Sequence, residues 1–364
     1  MDFTLDADQL ALRDVARQAL DREVDGALVR RLADDPIGVD EGLWRHLVEL
    51  GWTGLLVPAS LGGAGAGLVE MGIVLEQMGR VPVPGPFFSS AVAATLAARA
   101  LGADELLAGL AAGERRGTLA VQELGHGDPL HTVRSRARRK GAGWVVSGEK
   151  ALVVDGQSAD WVIVVARGEE GVRSFLLEHP VTEPVPTLDP TRKGARLVLD
   201  EEPVVPLGPA GNQLALWRRV LDDIAVSLAA ETVGTADRAL EMAIDYTRHR
   251  EVFGQPIAQF QVAKHKMVDM FQLLEMARVG VQYAAWASDV DAPDRERAAA
   301  MAASFASETG VRVTGDDIQL HGGVGFTWAN DSHFLFKRAK QNEVLLGGGA
   351  FERQRLATML VESA

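Results

Sequence analysis

The feature that most constrains this chain is the point at which its hydrophobic period changes, twice. From Asp8 to about Leu110 apolar residues recur at helical spacing (Leu10, Val15, Leu20, then Val69, Ile73, Leu75, Met78), with Gly and Pro at the joins. Between Leu119 and about Pro209 the texture becomes short apolar runs, at 144–146, 151–154, 161–165, 174–177 and 196–199, parted by Gly, Asp, Pro and Ser. After Gly211 helical periodicity returns, with Val233, Ala236, Leu240, Ile244 and Thr247 on one face and Met267, Met270, Phe271, Leu274 and Val281 on another. Asp291-Ala292-Pro293 then resets the chain into a further helix. The expected organisation is an α+β protein of three segments. These are a helical domain over 1–117, a small β barrel or sandwich over 118–210, and an antiparallel four-helix bundle over 211–364.

Composition excludes several chemistries. With 364 residues and 47% hydrophobic content the chain can bury a large core. Lys plus Arg number 37 against 50 Asp plus Glu, a formal charge of −13 that disfavours a nucleic-acid partner. There is no cysteine, hence no disulfide, thiolate metal site or Cys nucleophile. The acidic start, residues 1–6, lacks the basic-then-apolar order of a secretion signal, and no apolar run reaches membrane-spanning length, so a cytoplasmic protein without membrane contact is expected.

Most chemical motifs dissolve on inspection. The run Gly62-Gly63-Ala64-Gly65-Ala66-Gly67 resembles a phosphate loop, yet no strand pattern precedes it and Glu70 stands where a dinucleotide fingerprint needs its third Gly. It reads as a plain loop. His126 and His131 share a Gly/Asp/Pro loop without metal-ligand spacing, so no metal is expected. Arg134, Arg136, Arg138, Arg139 and Lys140 read as one solvated strand face.

Two stretches remain. In residues 248–257, Arg250 offers a planar cationic fork beside Phe253-Gly254, with Gln261 opening the next helical run. In residues 319–328, Gln319 precedes Gly322, Gly323 and Gly325, where main-chain N–H groups meet a ligand without Cβ interference. Such a corner suits a pyrophosphate. Read singly, each stretch is equally a helix end, with Arg250 complementing a C-terminus and the glycines ending a helix.

Taken in order, Arg250-x-x-Phe253-Gly254, Gln261 and Gln319-x-x-Gly322-Gly323-x-Gly325 resemble segments of the acyl-CoA dehydrogenase family, as do residues 50–63 and 76–80. The resemblance spans nearly the whole chain. It implies FAD as cofactor, bound across a subunit interface with Arg250 on its pyrophosphate, an acyl-CoA substrate, an electron-accepting flavoprotein and an oligomer. The chemistry it implies is α,β-dehydrogenation of the thioester, which needs a carboxylate base.

Here the sequence departs from the family. Counting from either side, the base falls at Leu346 or Gly348. The alternative base of some relatives, a Glu directly before an Arg on an earlier helix, falls at Ile224 with Ala225 in place of the Arg, and Asp223 is one residue away and about 100° round the helix. The loop that resembles the family's flavin-contacting segment, residues 122–128, is one residue short, and Leu152–Val154 replaces its Trp-x-Thr. Elements lent to a neighbouring subunit are therefore kept while the chain's own catalytic groups are lost. Residues 79–88 and 325–328 also resemble actinobacterial steroid- and sterol-type enzymes built as α2β2 heteromers. The expected function is a non-catalytic or half-site subunit. The alternatives are a self-sufficient homo-oligomer with a relocated base (Glu231, Asp223 or Glu343) and a flavin-free scaffold.

Overall fold

The computed structural model describes residues 4–125 and 127–362. The opening three residues of the acidic start and His126 lie outside the described residues.

Helices α1 (Ala7–Glu23), α2 (Gly26–Asp34), α3 (Glu41–Glu49), α4 (Leu68–Arg80), α5 (Thr95–Leu101) and α6 (Asp104–Ala111) come first. Asp6 caps α1 in a full capping box with Gln9, and the Asp40 carboxylate accepts from Leu43 N–H at the start of α3. The apolar run before α5 is a π-helical segment, Phe87–Ala94, buried throughout.

Strands β1 (Gly117–Ala120), β2 (Arg136–Lys140), β3 (Gly143–Val154), β4 (Trp161–Gly168), β5 (Gly171–Glu178), β6 (Glu183–Val185) and β7 (Gly194–Leu207) follow. The runs at 144–146 and 151–154, separate in the sequence, are one strand. Its register against β7 shifts between Val146 and Gly148 and again between Lys150 and Val153, so the alternation breaks where the strand bends. Pairing runs β4-β2-β3-β7-β5 and returns through β4–β5, closing a small barrel, while β1 and β6 add to its rims. Its interior is filled by Val146, Val153, Val162, Val164, Phe175, Leu177, Leu197 and Leu199. On β2, Ala137 points in and Arg136 and Arg138 point out, as the period-2 spacing of the basic run requires.

The last part holds α7 (Leu214–His249), a two-residue hairpin of β8 (Glu251–Val252) and β9 (Gln255–Pro256), and α8 (Gln261–Asp289). After them come α9 (Arg295–His321), α10 (Ser332–Asn342) and α11 (Gly348–Glu362). Among the described residues no helix is long and apolar enough to cross a membrane.

Two compact units emerge. One comprises residues 1–28, 68–83 and 225–364, the other 29–67 and 84–224. Within the first, α4 and α7 cross with their backbones almost touching. A Cβ on Gly79 would sit 1.9 Å from Glu231 O, and one on Gly234 would sit 1.7 Å from Glu76 O. Only glycine permits that approach. Within the second, Gly63 of the glycine run is similarly wedged, 2.1 Å from Val57 O, so packing accounts for it.

Candidate functional site

The end of α7 carries Arg250, whose main-chain oxygen accepts from Ile257 N–H and closes the hairpin. The register Val252↔Gln255 leaves Phe253 and Gly254 as the turn, with φ of +54° and +77°. Positive φ at both central positions defines the tight hairpin turn that favours Asn-Gly. Phenylalanine there costs about 1–2 kcal/mol in backbone strain, and its side chain is 94% exposed. Neither local folding nor packing within the chain calls for it. The sequence pattern marked this stretch as a break; it is a hairpin that displays an aromatic ring.

Arg250 is exposed, and among the described residues its guanidinium makes no ion pair or side-chain hydrogen bond. Gln261 is the exposed first residue of α8, and Gln319 is exposed on the last turn of α9. Gly322 ends α9 at φ +64°, and Gly322–Phe326 forms a single 3-10 turn. Gly325 is favoured by packing, since a Cβ would lie a tight 3.0 Å from both His321 Cβ and Ile318 O. Gly323 differs, having no positive φ and nothing within 4 Å of a Cβ. Among the described residues nothing asks for glycine there, which fits close approach by a group from outside the chain.

Tyr246 of α7 stacks on His321 of α9 at 4.3 Å, and Lys266 of α8 bonds Asp316 of α9 at 2.6 Å. The hairpin, the start of α8 and the glycine turn are thereby brought to one end of the bundle. His321 sits at the α9 C-terminus with Nδ1 2.9 Å from the Asp317 carboxylate. Burial pulls its pKa down, but the Asp317 hydrogen bond and charge outweigh this and raise it above the ordinary value. No sequence reading singled out this i, i+4 pair.

The positions in question for a base are equally clear. Leu346 is half-buried at φ +53°, and a Cβ on Gly348 would meet Glu343 O at 1.9 Å. Glu343 pairs with Lys340. Glu231 is 2% exposed and accepts from Arg338 Nη1 at 2.6 Å and Asn342 Nδ2 at 2.9 Å. Arg338, fully buried, also donates to Val83 O at 3.1 Å. Glu231 is therefore the anchor of a buried network joining α7 to α10. Ile224 is fully buried, and Asp223 is half-buried.

In the barrel, Ala151 N–H donates to Gln122 O at 3.0 Å, which sets the 122–128 loop beside Leu152. Asp128 is held by Arg218 and lies 2.8 Å from His131 Nδ1. Burial opposes its ionisation, but Arg218 and the Leu130 N–H keep its pKa below the usual range. Among the described residues no cluster of His, Asp or Glu is arranged to hold a metal ion.

An N-terminal helical part, a small closed barrel and a C-terminal bundle ending in an exposed arginine and a glycine turn define the architecture of acyl-CoA oxidoreductases acting on CH–CH bonds. The chain belongs to the acyl-CoA dehydrogenase family: its residues 6–114 match the family's N-terminal domain and 211–360 its C-terminal domain. It is 33% identical to acyl-CoA dehydrogenase IpdE2 of Mycobacterium tuberculosis over 355 residues, 97% of each chain. Among solved structures it is similar to a variant of the Tcur3481-Tcur3483 steroid ACAD, at 32% identity and a TM-score of 0.90, covering 98% of both chains. It is also similar to the ChsE4-ChsE5 complex from Mycobacterium tuberculosis, at 28% identity and a TM-score of 0.89, covering 100% of this chain and 99% of that one.

Proposed function

We propose that this chain is a half-site or non-catalytic subunit of a heteromeric, FAD-dependent acyl-CoA dehydrogenase of the cytoplasm. Its partner is a second acyl-CoA dehydrogenase-like subunit in an α2β2 assembly. The substrate is an acyl-CoA thioester of steroid or sterol type, and the electrons go to a flavoprotein acceptor. The segments 1–117, 118–210 and 211–364 are its three domains.

The observation that carries this reading is a contrast in chemistry. Leu346 and Gly348 cannot accept a proton, and of the alternative carboxylates Glu231 and Glu343 are already engaged by Arg338 and Lys340. Among the described residues, meanwhile, the exposed Arg250 guanidinium has no ion-pair partner and nothing lies within 4 Å of a Cβ placed on Gly254 or Gly323. A subunit that donates to a shared cofactor without abstracting a proton has this division. The steroid ACAD Tcur3481-Tcur3483 and the ChsE4-ChsE5 complex, 32% and 28% identical over nearly the full length and each named for two chains, support a heteromeric partner.

FAD, when bound, supplies the hydride acceptor. This chain's contribution is to hold it. The Arg250 guanidinium neutralises the pyrophosphate, the bare backbone at Gly322, Gly323 and Gly254 lets its oxygens approach, and Gln261 and Gln319 add neutral donors. The exposed Phe253 ring would add apolar contact area beside the bound group.

Expression of the chain alone, and then together with a second acyl-CoA dehydrogenase-like chain as partner, tests the proposal by absorbance. Flavin bound only when the two are made together is the expected result. A yellow chain on its own that bleaches anaerobically with acyl-CoA would establish a self-sufficient enzyme with a moved base. A complex that never binds flavin would establish a scaffold.

A further inference from the structure

The Asp317–His321 pair has no role in the reading above, and its surroundings are unusual. Asp317 is fully buried in the bundle. Apart from His321 Nδ1 at 2.9 Å, neither carboxylate oxygen has a hydrogen-bond partner among the described residues. A buried carboxylate 2.9 Å from an imidazole nitrogen favours the imidazolium form of that ring. The His321 Nδ1–H is shared with Asp317 O at 3.0 Å, and the ring, at the negative end of α9, is stacked on Tyr246. The residue after this ring is Gly322, where the exposed turn begins.

We propose that His321 is a positioning residue for the dinucleotide: as an imidazolium clamped by Asp317 and Tyr246, it fixes the Gly322–Phe326 turn against the end of α7, and loss of its proton loosens the turn and releases the cofactor. This rests on the assignment of that turn to FAD. At this end of α9 lie Tyr246 from α7 and Lys266 from α8, already held by Asp316 at 2.6 Å, while α10 packs along α9 with its His333 and Lys337 gathered on Trp328. Asp317 is the charged group that acts on the His321 proton, and it outweighs burial to raise the pKa. By sign, a raised histidine contributes fully below its ordinary value and loses that contribution as pH climbs through the raised one.

The test uses the flavin-loaded protein, with its partner subunit if FAD requires it. Flavin release is followed by recovery of free-flavin fluorescence across pH, and His321 is titrated in the same protein by NMR. Release should quicken about tenfold, the order of a typical coupling between two sites, with a midpoint that coincides with the His321 titration. Asp317→Asn should move that midpoint down, and His321→Gln should give fast release at every pH. Arg250→Ala should weaken retention at all pH values while leaving the midpoint in place. Release that stays flat through the His321 titration, or a step that survives in His321→Gln, overturns the role of His321 alone. Arg250→Ala that retains FAD like the parent overturns the cofactor assignment beneath it. If Asp317→Asn does not fold, coincidence or mismatch of the two midpoints in the unsubstituted protein still decides.

Discussion

Glu231→Gln separates a structural carboxylate from a catalytic one. In the folded chain Glu231 is 2% exposed and Arg338 fully buried, joined at 2.6 Å, with Asn342 Nδ2 at 2.9 Å on the second carboxylate oxygen. Neutralising Glu231 leaves the Arg338 guanidinium charged in a dry interior, and breaking a buried pair from one side costs about 3–5 kcal/mol. Gln still accepts from Nη1 but turns an N–H donor toward either Arg338 or Asn342, both of which are themselves donors, so about 3 kcal/mol is expected. At about 2–4 °C per kcal/mol for a large domain, the midpoint of thermal unfolding should fall by about 6–12 °C. Glu231→Leu combined with Arg338→Met should recover most of the loss, because the pair's desolvation penalty goes with it. The assay is calorimetric or dichroic melting of the assembled protein, with anaerobic flavin bleaching by acyl-CoA on the same samples. An unchanged melting midpoint would refute the buried-pair reasoning. Abolished bleaching at an unchanged midpoint would identify Glu231 as the base and remove the case for a non-catalytic subunit.

Gly79→Ala and Gly234→Ala each drive a Cβ to within 2 Å of a carbonyl oxygen across the α4–α7 crossing, so each should cost at least the ~1–3 kcal/mol of an overpacked core, read by urea unfolding; a neutral result at both would mean that the helices slide apart freely. Phe253→Asn should raise stability by up to about 1 kcal/mol, since Asn suits positive φ, and weaken flavin retention in the complex; unchanged retention would show that the exposed ring contacts nothing. Glu123 and Lys150, bonded at 2.6 Å inside the barrel, give opposite pH limbs. Burial opposes ionisation of Glu123, but Lys150 and Ser135 hold its pKa below the ordinary value, so its stabilisation is present at neutral pH and lost as pH falls through the depressed value. Burial pushes Lys150 down from 10.5 to about 8, so the unfolded chain binds the extra proton between those values and stability from this residue rises with pH across that window. Denaturant unfolding of Lys150→Met should lack the alkaline rise, and persistence of the rise would assign it elsewhere.

What could be read from the sequence follows from how local each cause is. Helical periodicity after Gly211 and strand alternation around Arg134, Arg136 and Arg138 depend on neighbours within one turn or one pleat, and both reappear as α7–α9 and β2. The closure of the barrel depends on β4 meeting β5 as well as β2, and no single run encodes that. Glu231 stood out only as a carboxylate of unassigned use, because its partner Arg338 lies 107 residues away and neither is distinctive alone. Gly79 and Gly234 are ordinary small residues until α4 and α7 are set across each other. At the candidate site the division is sharper. Residue types alone proposed Arg250 and the glycines, but packing distinguishes glycines that the chain requires from one that it does not. A Cβ on Gly325 would crowd His321 and Ile318, and Gly322 has a positive φ, whereas Gly323 has neither reason. Phe253 makes the same point from the other side, with a strained, displayed aromatic where a turn prefers Asn. Residues that fit their own chain badly, at positions where a better choice was available, point to something outside it. That inference needs the folded chain, since only there does the absence of an internal reason become visible.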